Sequence, residues 1–463
     1  MKEQSVSTIL ASTAEAGSKS LDFSLGQQLT VIALCALTAF ISHMALAVFN
    51  DGVRPFMLDF IQGRTTRTAT TAVAFGLSAG FIFGLGAPMA LASGVLNPWL
   101  LFLPTDVLGI LSPKKWLAPL LGGAWGAVVV FGLGGANDLA HELPVDFLTA
   151  MQEMSTPILF LFTLFPVLAI TKQFGRLRGG IAGVVELALV VVTMKAWPDI
   201  FPGAVAMAVG VLILIGFAVQ KDLNQRRLDR AEKAKAAAAG DTEAAGDAAD
   251  DPMNSLFSAS AARIRRYLPL YMALGAGVCL LAQMHVFGGG EATSFLIAKG
   301  EYAEAAQVDF YRVFGFIPLI ATTALASGAY AIAGFTLVYP IGYLLPSPWL
   351  AVLAGALVFA VEVLALSYLG KVLGRLPSVR DSSEHLRNAI SESLWLAILF
   401  GSLMAANTMG GGLGIMIVGG LYLLNEAMGR VVVRMAAAPA AVLVGGVLLN
   451  LLYWLDLFTP VKG

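Results

Sequence analysis

The chain has 463 residues, of which 57% are hydrophobic and 13% charged, and its formal net charge is −1. The mean hydropathy is strongly positive, at +0.78. These values exclude an ordinary soluble domain. They also argue against a nucleic-acid partner, because a near-neutral chain offers no extended basic surface. We therefore expect an all-α polytopic membrane protein whose main partner is the lipid bilayer.

Apolar stretches that could cross the hydrocarbon core, which takes about 20 residues, recur along the chain. Twelve can be read directly: 29–49, 69–91, 116–135, 156–170, 179–196, 204–219, 268–287, 314–338, 349–369, 388–406, 414–427 and 437–455. A thirteenth, 100–111, is short and contains Pro104 and Asp106, which predicts a broken or re-entrant helix. The sequence thus predicts about 12–13 transmembrane helices in two related halves.

A polar segment near the middle divides the chain. We expect a polar N-terminal tail over 1–28, a first transmembrane half over 29–220, a charged linker over 221–266 and a second transmembrane half over 267–463. Basic clusters at both ends place the linker in the cytoplasm by the positive-inside rule. Its acidic middle is typical of a disordered tether. The first span is expected to act as an uncleaved anchor.

Loop charges leave the orientation of the two halves open. The loop 137–154 is acidic and is expected outside, whereas Lys114, Lys115 and Lys172 are expected inside. In the second half, counting one membrane crossing per span places a basic cluster outside, which contradicts the positive-inside rule. That cluster is Lys371, Arg375, Arg380 and Arg387. Two half-helices within 314–346 would return it to the cytoplasm, so both inverted and parallel repeats stay open.

A short pattern is written twice. Ala69–Gly76 (ATTAVAFG) returns as Ala321–Gly328 (ATTALASG), and each copy is followed by Pro-Trp-Leu, at 98–100 and 348–350. Two signals in the same order at nearly the same offset indicate an internal duplication. Long hydrophobic chains with such duplications are typical of secondary transporters, whose halves enclose a site near the bilayer midplane.

The threonines of this pattern, and an asparagine near a glycine-rich run, have two interpretations. Small residues let transmembrane helices approach closely, with Thr hydroxyls bonding back to the backbone. Alternatively, they face a polar path through locally unwound helices. The candidates for such a path are Thr70, Thr71, Thr322, Thr323 and, beside the glycine-rich run 410–414, Asn407.

Carboxylates at membrane depth are the stronger candidates, because each costs several kcal/mol unless it meets a partner, water or a proton. Asp106 follows Pro104 and Thr105, where a proline frees backbone groups, and Glu362 lies near the middle of its span. Glu186 has a similar central position, and Glu392 lies about one turn inside a span. These residues are candidate substrate or ion ligands, with interfacial or structural roles as the alternative.

Two arginines complete the candidates. Arg54 ends an Asp-x-x-Arg sequence at 51–54, and Arg312 ends another at 309–312. Such clusters usually cap the ends of spans, and an Arg contact to an anionic substrate is the sharper alternative.

The absence of several sequence motifs argues against an enzyme and against a primary pump. The sequence contains no GxxxxGK[ST] phosphate loop, no HExxH and no GxSxG. We therefore expect neither an enzyme nor a primary pump, no catalytic residue, no metal and no cofactor. A membrane carboxylate can exchange a proton, so the coupling ion is expected to be H⁺ or Na⁺.

Four segments carry a resemblance to a known family. They are Phe49–Pro55 (FNDGVRP), Leu100–Gly109 (LLFLPTDVLG), Phe316–Ala326 (FIPLIATTALA) and Leu449–Leu455 (LNLLYWL). With them the chain resembles the YhfT family of bacterial inner-membrane proteins over nearly its whole length. The resemblance implies a transport protein and supplies neither a substrate nor residue roles.

The sequence therefore predicts a secondary-active transporter for a small polar or anionic metabolite, coupled to H⁺ or Na⁺. Elevator-like motion is a hypothesis that follows if 100–111 and 314–346 are re-entrant, and a homodimer is kept as an option. The main alternative is a channel or the membrane subunit of a multi-protein transport system. An intramembrane enzyme acting on a lipid-linked substrate is third.

Overall fold

The computed structural model describes residues 21–50, 53–61, 63–198, 200–238, 252–331 and 337–460. Eight of its helices are long and apolar enough to cross a membrane, or up to ten if each bent pair counts as one span. This confirms the predicted polytopic α-helical fold. Uninterrupted helices are fewer than the predicted spans because several crossings are built from broken elements.

The first half runs from α1 to the long helix α11. Its helices are α1 (Leu25–His43), α2 (Arg54–Ile61), α3 (Arg67–Phe81), α4 (Ala87–Ser93), α5 (Pro98–Leu111), α6 (Leu117–His141), α7 (Phe147–Met151), α8 (Ser155–Phe162), α9 (Phe165–Phe174), α10 (Arg176–Ala196) and α11 (Pro202–Ala238). The two-residue strand β1 (Ala47–Val48) follows α1, a π-helical segment (Ile82–Gly86) joins α3 to α4, and a 3₁₀ turn (Gln152–Met154) joins α7 to α8.

The second half begins with a helix in the linker. Its helices are α12 (Pro252–Arg266), α13 (Leu268–Gln283), α14 (Glu291–Ala298), α15 (Tyr302–Ser327), α16 (Val338–Leu344), α17 (Pro348–Arg375), α18 (Pro377–Ala427) and α19 (Arg434–Trp454). The strand β2 (Tyr330–Ala331) lies between α15 and α16. The segment 314–346 is broken, as the sequence allowed, at Gly328 between α15 and α16, but α15 begins at Tyr302 and is 26 residues long.

Local sequence explains where the broken elements stop and start. Gly94 ends α4 and Gly328 ends α15, both in the left-handed conformation that a glycine adopts without steric cost. The next helix, α5, begins at Pro98, and the side chain of Asn97 accepts a hydrogen bond from the backbone N–H of Leu100. At this buried helix start, a side chain thus satisfies a backbone N–H that has no partner within the helix.

Equivalent contacts relate the two halves. A Cβ at Gly122 would overlap the carbonyl oxygen of Cys35, and one at Gly355 would overlap that of Gly275. Gly109 and Gly342 make the same kind of close approach to α1 and α13. Cys35 and Gly275 are 240 positions apart, whereas Gly122 and Gly355, like Gly109 and Gly342, are 233 apart. So α1, α5 and α6 correspond to α13, α16 and α17.

This register differs from the one that the twice-written pattern indicates. Ala69–Gly76 lies in the first turns of α3, whereas Ala321–Gly328 lies at the end of α15. Pro98 begins α5 and Pro348 begins α17, which are not equivalent helices. The duplication is real, but its spacing is 233–240 residues rather than 250–252, so the matching residues of the short pattern are a coincidence in an Ala-rich chain.

The repeats are inverted. Leu34 in α1 contacts Gly277 in α13. Tyr271, near the start of α13, donates a hydrogen bond of 2.6 Å to the carbonyl oxygen of Leu46, just after α1. The partner's residue number falls as the α1 number rises, so the two helices run antiparallel. The open choice between inverted and parallel halves is settled in favour of inverted.

Helix α18 is a hairpin rather than one long helix. Gly410 (φ −152°, ψ 18°) and Gly411 (φ 54°, ψ −135°) break it. Trp395 Nε1 donates to Tyr422 Oη at 2.8 Å, so residues before and after the break lie side by side. The predicted spans 388–406 and 414–427 therefore lie in the two arms of this hairpin, on either side of the glycine-rich run 410–414.

Contacts between helix ends define two faces of the molecule. On the face where α11 leaves, Asp222 accepts hydrogen bonds of 3.0 Å from the backbone N–H of Ser378, and Arg67 donates to the carbonyl oxygen of Ile110 at 2.8 Å. We name this the linker face. On the opposite face, Asn450 is hydrogen-bonded to Val145. Arg380, one of the basic residues in the charge conflict, follows Ser378 and therefore lies on the linker face, as do Lys114 and Lys115, which follow Ile110.

The linker contributes to the packed structure. The expected tether 221–266 contains the last turns of α11 and all of α12, and its acidic middle, 239–251, lies outside the described residues. Helix α12 buries Phe257, Ala261 and Ile264. It therefore belongs to the core of the second half.

Candidate functional site at the helix crossover

Short extended segments from the two halves cross and pair near the centre of the molecule. β1 pairs in parallel with β2, matching Ala47 with Tyr330. The inverted counterpart is a parallel bridge between Leu96 and Phe287. We name residues 44–50, 94–97, 284–290 and 328–331 the crossover. Each half thus supplies the backbone partner of an extended segment in the other half.

Aromatic side chains surround the crossover. Phe102 stacks on Phe49 with ring centroids 5.0 Å apart and meets Phe287 edge-on at 5.5 Å. Tyr330 lies against Phe359 with centroids 5.4 Å apart. Tyr271, also fully buried, donates to the carbonyl oxygen of Leu46 at 2.6 Å. This packing holds the extended segments rigidly in the protein interior.

Asp106 is the most constrained carboxylate at the crossover. It is fully buried on α5. Its Oδ1 accepts from Ser42 Oγ at 2.5 Å, and its Oδ2 accepts from the backbone N–H groups of Phe49 at 2.5 Å and Asn50 at 2.9 Å. No described Lys or Arg forms an ion pair with it. Three donors therefore stabilise its charge and fix α5 to the segment that follows β1.

Asp309 lies near the equivalent segment of the second half. It is buried on α15 and accepts from Tyr343 Oη at 2.8 Å. That same hydroxyl accepts from the backbone N–H of Gly289 at 2.8 Å. Gly289 is 240 positions after Phe49, whose N–H binds Asp106. Each half therefore has a buried aspartate next to its own extended segment, directly bonded in one half and bonded through a tyrosine in the other.

Glu362 reaches the crossover from α17. It is half-buried and accepts a hydrogen bond from Tyr330 Oη. Tyr330 is in β2, and its backbone N–H donates to the carbonyl oxygen of Leu46 at 2.8 Å. Glu362 thus holds β2, whereas Asp106 holds the residues that directly follow its partner strand β1.

Among the side chains that the structure describes, Arg263 brings a positive charge to the crossover. Arg263 donates to the carbonyl oxygen of Ala45, where α1 has ended, and lies next to Gly328, where α15 ends. A cation is favourable at helix C-termini, where unpaired carbonyls carry partial negative charge. The described part of the crossover therefore combines the carboxylates of Asp106, Asp309 and Glu362 with the Arg263 guanidinium, tyrosine hydroxyls and non-helical backbone in an apolar shell.

Comparison with known proteins agrees with the resemblance found in the sequence. The family model YhfT, described as a protein of unknown function, matches residues 27–458. The chain belongs to the YhfT family. A relative from Escherichia coli (strain K12), the uncharacterized protein YhfT, is 40% identical over 446 residues, which is 94% of this chain and 99% of the relative. No solved structure matches the chain significantly.

Among the predicted site residues of this YhfT family chain, only Asp106 and Glu362 have contacts that place them at the crossover, with Thr105 beside Asp106. Thr105 is buried, and its hydroxyl bonds back to the carbonyl oxygen of Phe102 at 2.8 Å. Thr70 and Thr71 do the same within α3, at 3.0 and 2.9 Å. These hydroxyls fit the packing interpretation.

The remaining predicted residues lie elsewhere. Glu392 is exposed and pairs with Lys172 at 2.5 Å on the linker face, and Asn407 is exposed on α18. Glu186 is buried between α10 and α11. The side chains of Arg54, Arg312, Thr322 and Thr323 lie outside the described residues.

Sequence reasoning missed several residues of the crossover in this YhfT family protein. They are Ser42, Arg263, Asp309, Tyr330 and Tyr343. Asp309 was read as preceding a span that starts at 314, but α15 begins at Tyr302 and carries it inside. A helix pattern that continued through the polar residues 302–313 could have revealed it.

Proposed function

We propose that this YhfT family protein is a secondary-active transporter for a small polar or anionic metabolite. The observation that carries the proposal is the inverted repeat whose broken elements cross at a polar centre. Inverted repeats with discontinuous helices at the midplane are the architecture in which transporters place substrate and ion sites. Non-helical backbone at membrane depth is tolerated where it is buried in protein or lines a cavity.

Charges at the crossover suggest a division of roles. In the proposed transporter, Arg263 and the tyrosine hydroxyls contact the polar or anionic groups of the substrate. Asp106 and Glu362 serve the coupling ion, H⁺ or Na⁺. Asp106 is bonded to the segment after β1 and Glu362 to Tyr330 in β2, so a change in their ligands would be transmitted to both halves.

Counterflow in proteoliposomes tests the proposal. Vesicles holding the purified protein are preloaded with an unlabelled compound, and uptake of the same compound in radiolabelled form is followed. The probes are a panel of mono- and dicarboxylates, amino acids and sugar phosphates. We expect transient accumulation of at least one of them above protein-free vesicles. A channel would equilibrate the label without accumulation, and a subunit that needs a partner would show no uptake; either result would contradict the proposal.

The proposal also places the linker face in the bacterial cytoplasm. Lys115 and Asp381 are exposed on the linker face, and Asp138 is exposed at the opposite end of α6. We expect Lys115→Cys and Asp381→Cys to react with an impermeant maleimide in inside-out vesicles, and Asp138→Cys to react in spheroplasts. The two native cysteines are buried and should add little background. Labelling of positions 115 and 138 from the same side would refute the topology.

A further inference from the structure

A second buried carboxylate lies away from the crossover. Glu186 is at the midpoint of α10 and is 2% exposed. The buried residues of α10 are Gly179, Ala182, Glu186 and Thr193, which share one face. That face packs against α9 and α11, while the rest of the helix is exposed on the apolar surface. Glu186 therefore points into the protein at membrane depth.

The surroundings of Glu186 offer it no hydrogen bond. Neither of its carboxyl oxygens has a hydrogen-bond partner among the described residues. Its Oε1 lies so close to Gly210 of α11 that a Cβ there would overlap it, and Pro166 of α9 lies on the same side. Proline has no N–H, and the N–H groups of α11 are used within that helix. Buried neighbours include the apolar residues Ala169, Ala182, Met207, Val211 and Leu214.

Charged groups on α9, α10 and α11 are either distant from Glu186 or paired with other residues. In α9, Lys172 pairs with Glu392. In α11, Lys221 and Asp222 lie at least 11 residues beyond Gly210, about 16 Å along the helix, and Asp222 is bonded to Ser378. The other charges of α10 are Arg176, Arg178 and Lys195, each at least 8 residues from Glu186, about 12 Å. No described cation therefore compensates a negative charge on Glu186.

We propose that Glu186 is a proton-binding site, separate from the crossover, that holds its proton while α9, α10 and α11 are packed together. An ionised carboxylate without partner or water costs many kcal/mol in such a setting, whereas the neutral acid does not. Movement of α10 against α11 would admit water and let the proton leave. The site goes beyond the proposed transport function and stands without it; in a transporter it would supply a coupling proton.

Labelling with N,N′-dicyclohexylcarbodiimide, an apolar reagent that enters membranes, tests the site on the full-length protein in liposomes. The carboxylic acid proton moves to a carbodiimide nitrogen while the carboxyl oxygen bonds to the central carbon, and the adduct rearranges to an N-acylurea with no atom lost. We expect peptide mass mapping to find the adduct at Glu186 in the wild type. The corresponding peptide of Glu186→Gln should carry no adduct. Glu392, which is ion-paired with Lys172, should stay unmodified. No adduct at Glu186, or equal adduct at Glu392, would overturn the proposal.

Infrared difference spectroscopy gives a second measurement without a reagent. We expect the carbonyl stretch of a buried carboxylic acid at neutral pH in the wild type and its loss in Glu186→Gln. Gly210→Ala keeps the glutamate but displaces its carboxyl group, so the band should shift or disappear. Gly216→Ala is the matched control, because a Cβ at Gly216 on the same helix meets nothing within 4 Å. A wild-type spectrum without the band, or the same spectrum for Gly210→Ala and wild type, would contradict the site.

Discussion

Asp106→Asn is expected to abolish counterflow while leaving the folded protein in the membrane at wild-type yield. Asparagine can keep all three hydrogen bonds: its Oδ1 accepts from the backbone N–H groups of Phe49 and Asn50, and its Nδ2 donates to Ser42 Oγ. Only the negative charge is lost. If that charge binds the coupling ion, uptake should fall to the level of protein-free vesicles.

Asp106→Ala separates the structural role of the side chain from the role of its charge. Alanine leaves three buried donors without an acceptor, and each such group costs about 1–3 kcal/mol. We therefore expect Asp106→Ala to lower the unfolding temperature strongly and to reduce the monodisperse fraction in size-exclusion chromatography. Asp138→Asn, on an exposed loop-side position of α6, is the control for loss of one carboxylate and should match the wild type in both assays.

Wild-type counterflow in Asp106→Asn would show that Asp106 only fastens α5 to the segment after β1. The transport proposal would survive that result, with Glu362 and Asp309 as the remaining carboxylates of the crossover. Loss of folding in Asp106→Asn would instead show that the charge itself stabilises the crossover. The two variants together distinguish these outcomes.

Much of the fold could be predicted from the sequence because membrane helices carry their own signal. Apolar runs of sufficient length indicate the spans, and the charge conflict around Arg380 pointed to a break within 314–346, which lies between α15 and α16. Asp106 was found because a carboxylate beside Pro104 is unusual in an apolar segment. Each of these features is local in sequence, so one chain is enough to detect it.

The pairing of segments between the two repeats could not be predicted, because it depends on three-dimensional contacts and not on similar residue types. Gly122 and Gly355 occupy the same place in the fold, yet their partners Cys35 and Gly275 differ in residue type. The crossover requires extended segments only two residues long, which have no detectable periodicity. Asp309 was missed for a similar reason, since the polar first turns of α15 resemble a loop.

Gly122→Leu is expected to destabilise the protein severely, because α1 and α6 approach there with backbone against backbone. Any Cβ at Gly122 would overlap the carbonyl oxygen of Cys35, which cannot move without moving α1. Overpacking in a core typically costs about 1–3 kcal/mol, and more when a helix must shift. Thermal unfolding followed with a thiol-reactive dye suits this protein, because its free cysteines, Cys35 and Cys279, are buried at the two equivalent contacts.

Gly132→Leu provides the matched control, since a Cβ at this position of α6 meets nothing within 4 Å. Leucine favours a helix over glycine by about 1 kcal/mol, so this variant should unfold at or slightly above the wild-type temperature. Gly355→Leu should be as damaging as Gly122→Leu, because the inverted repeat uses the same contact twice. If Gly355→Leu behaved like Gly132→Leu, the two contacts would not be equivalent, and the 233–240-residue register of the halves would have to be abandoned.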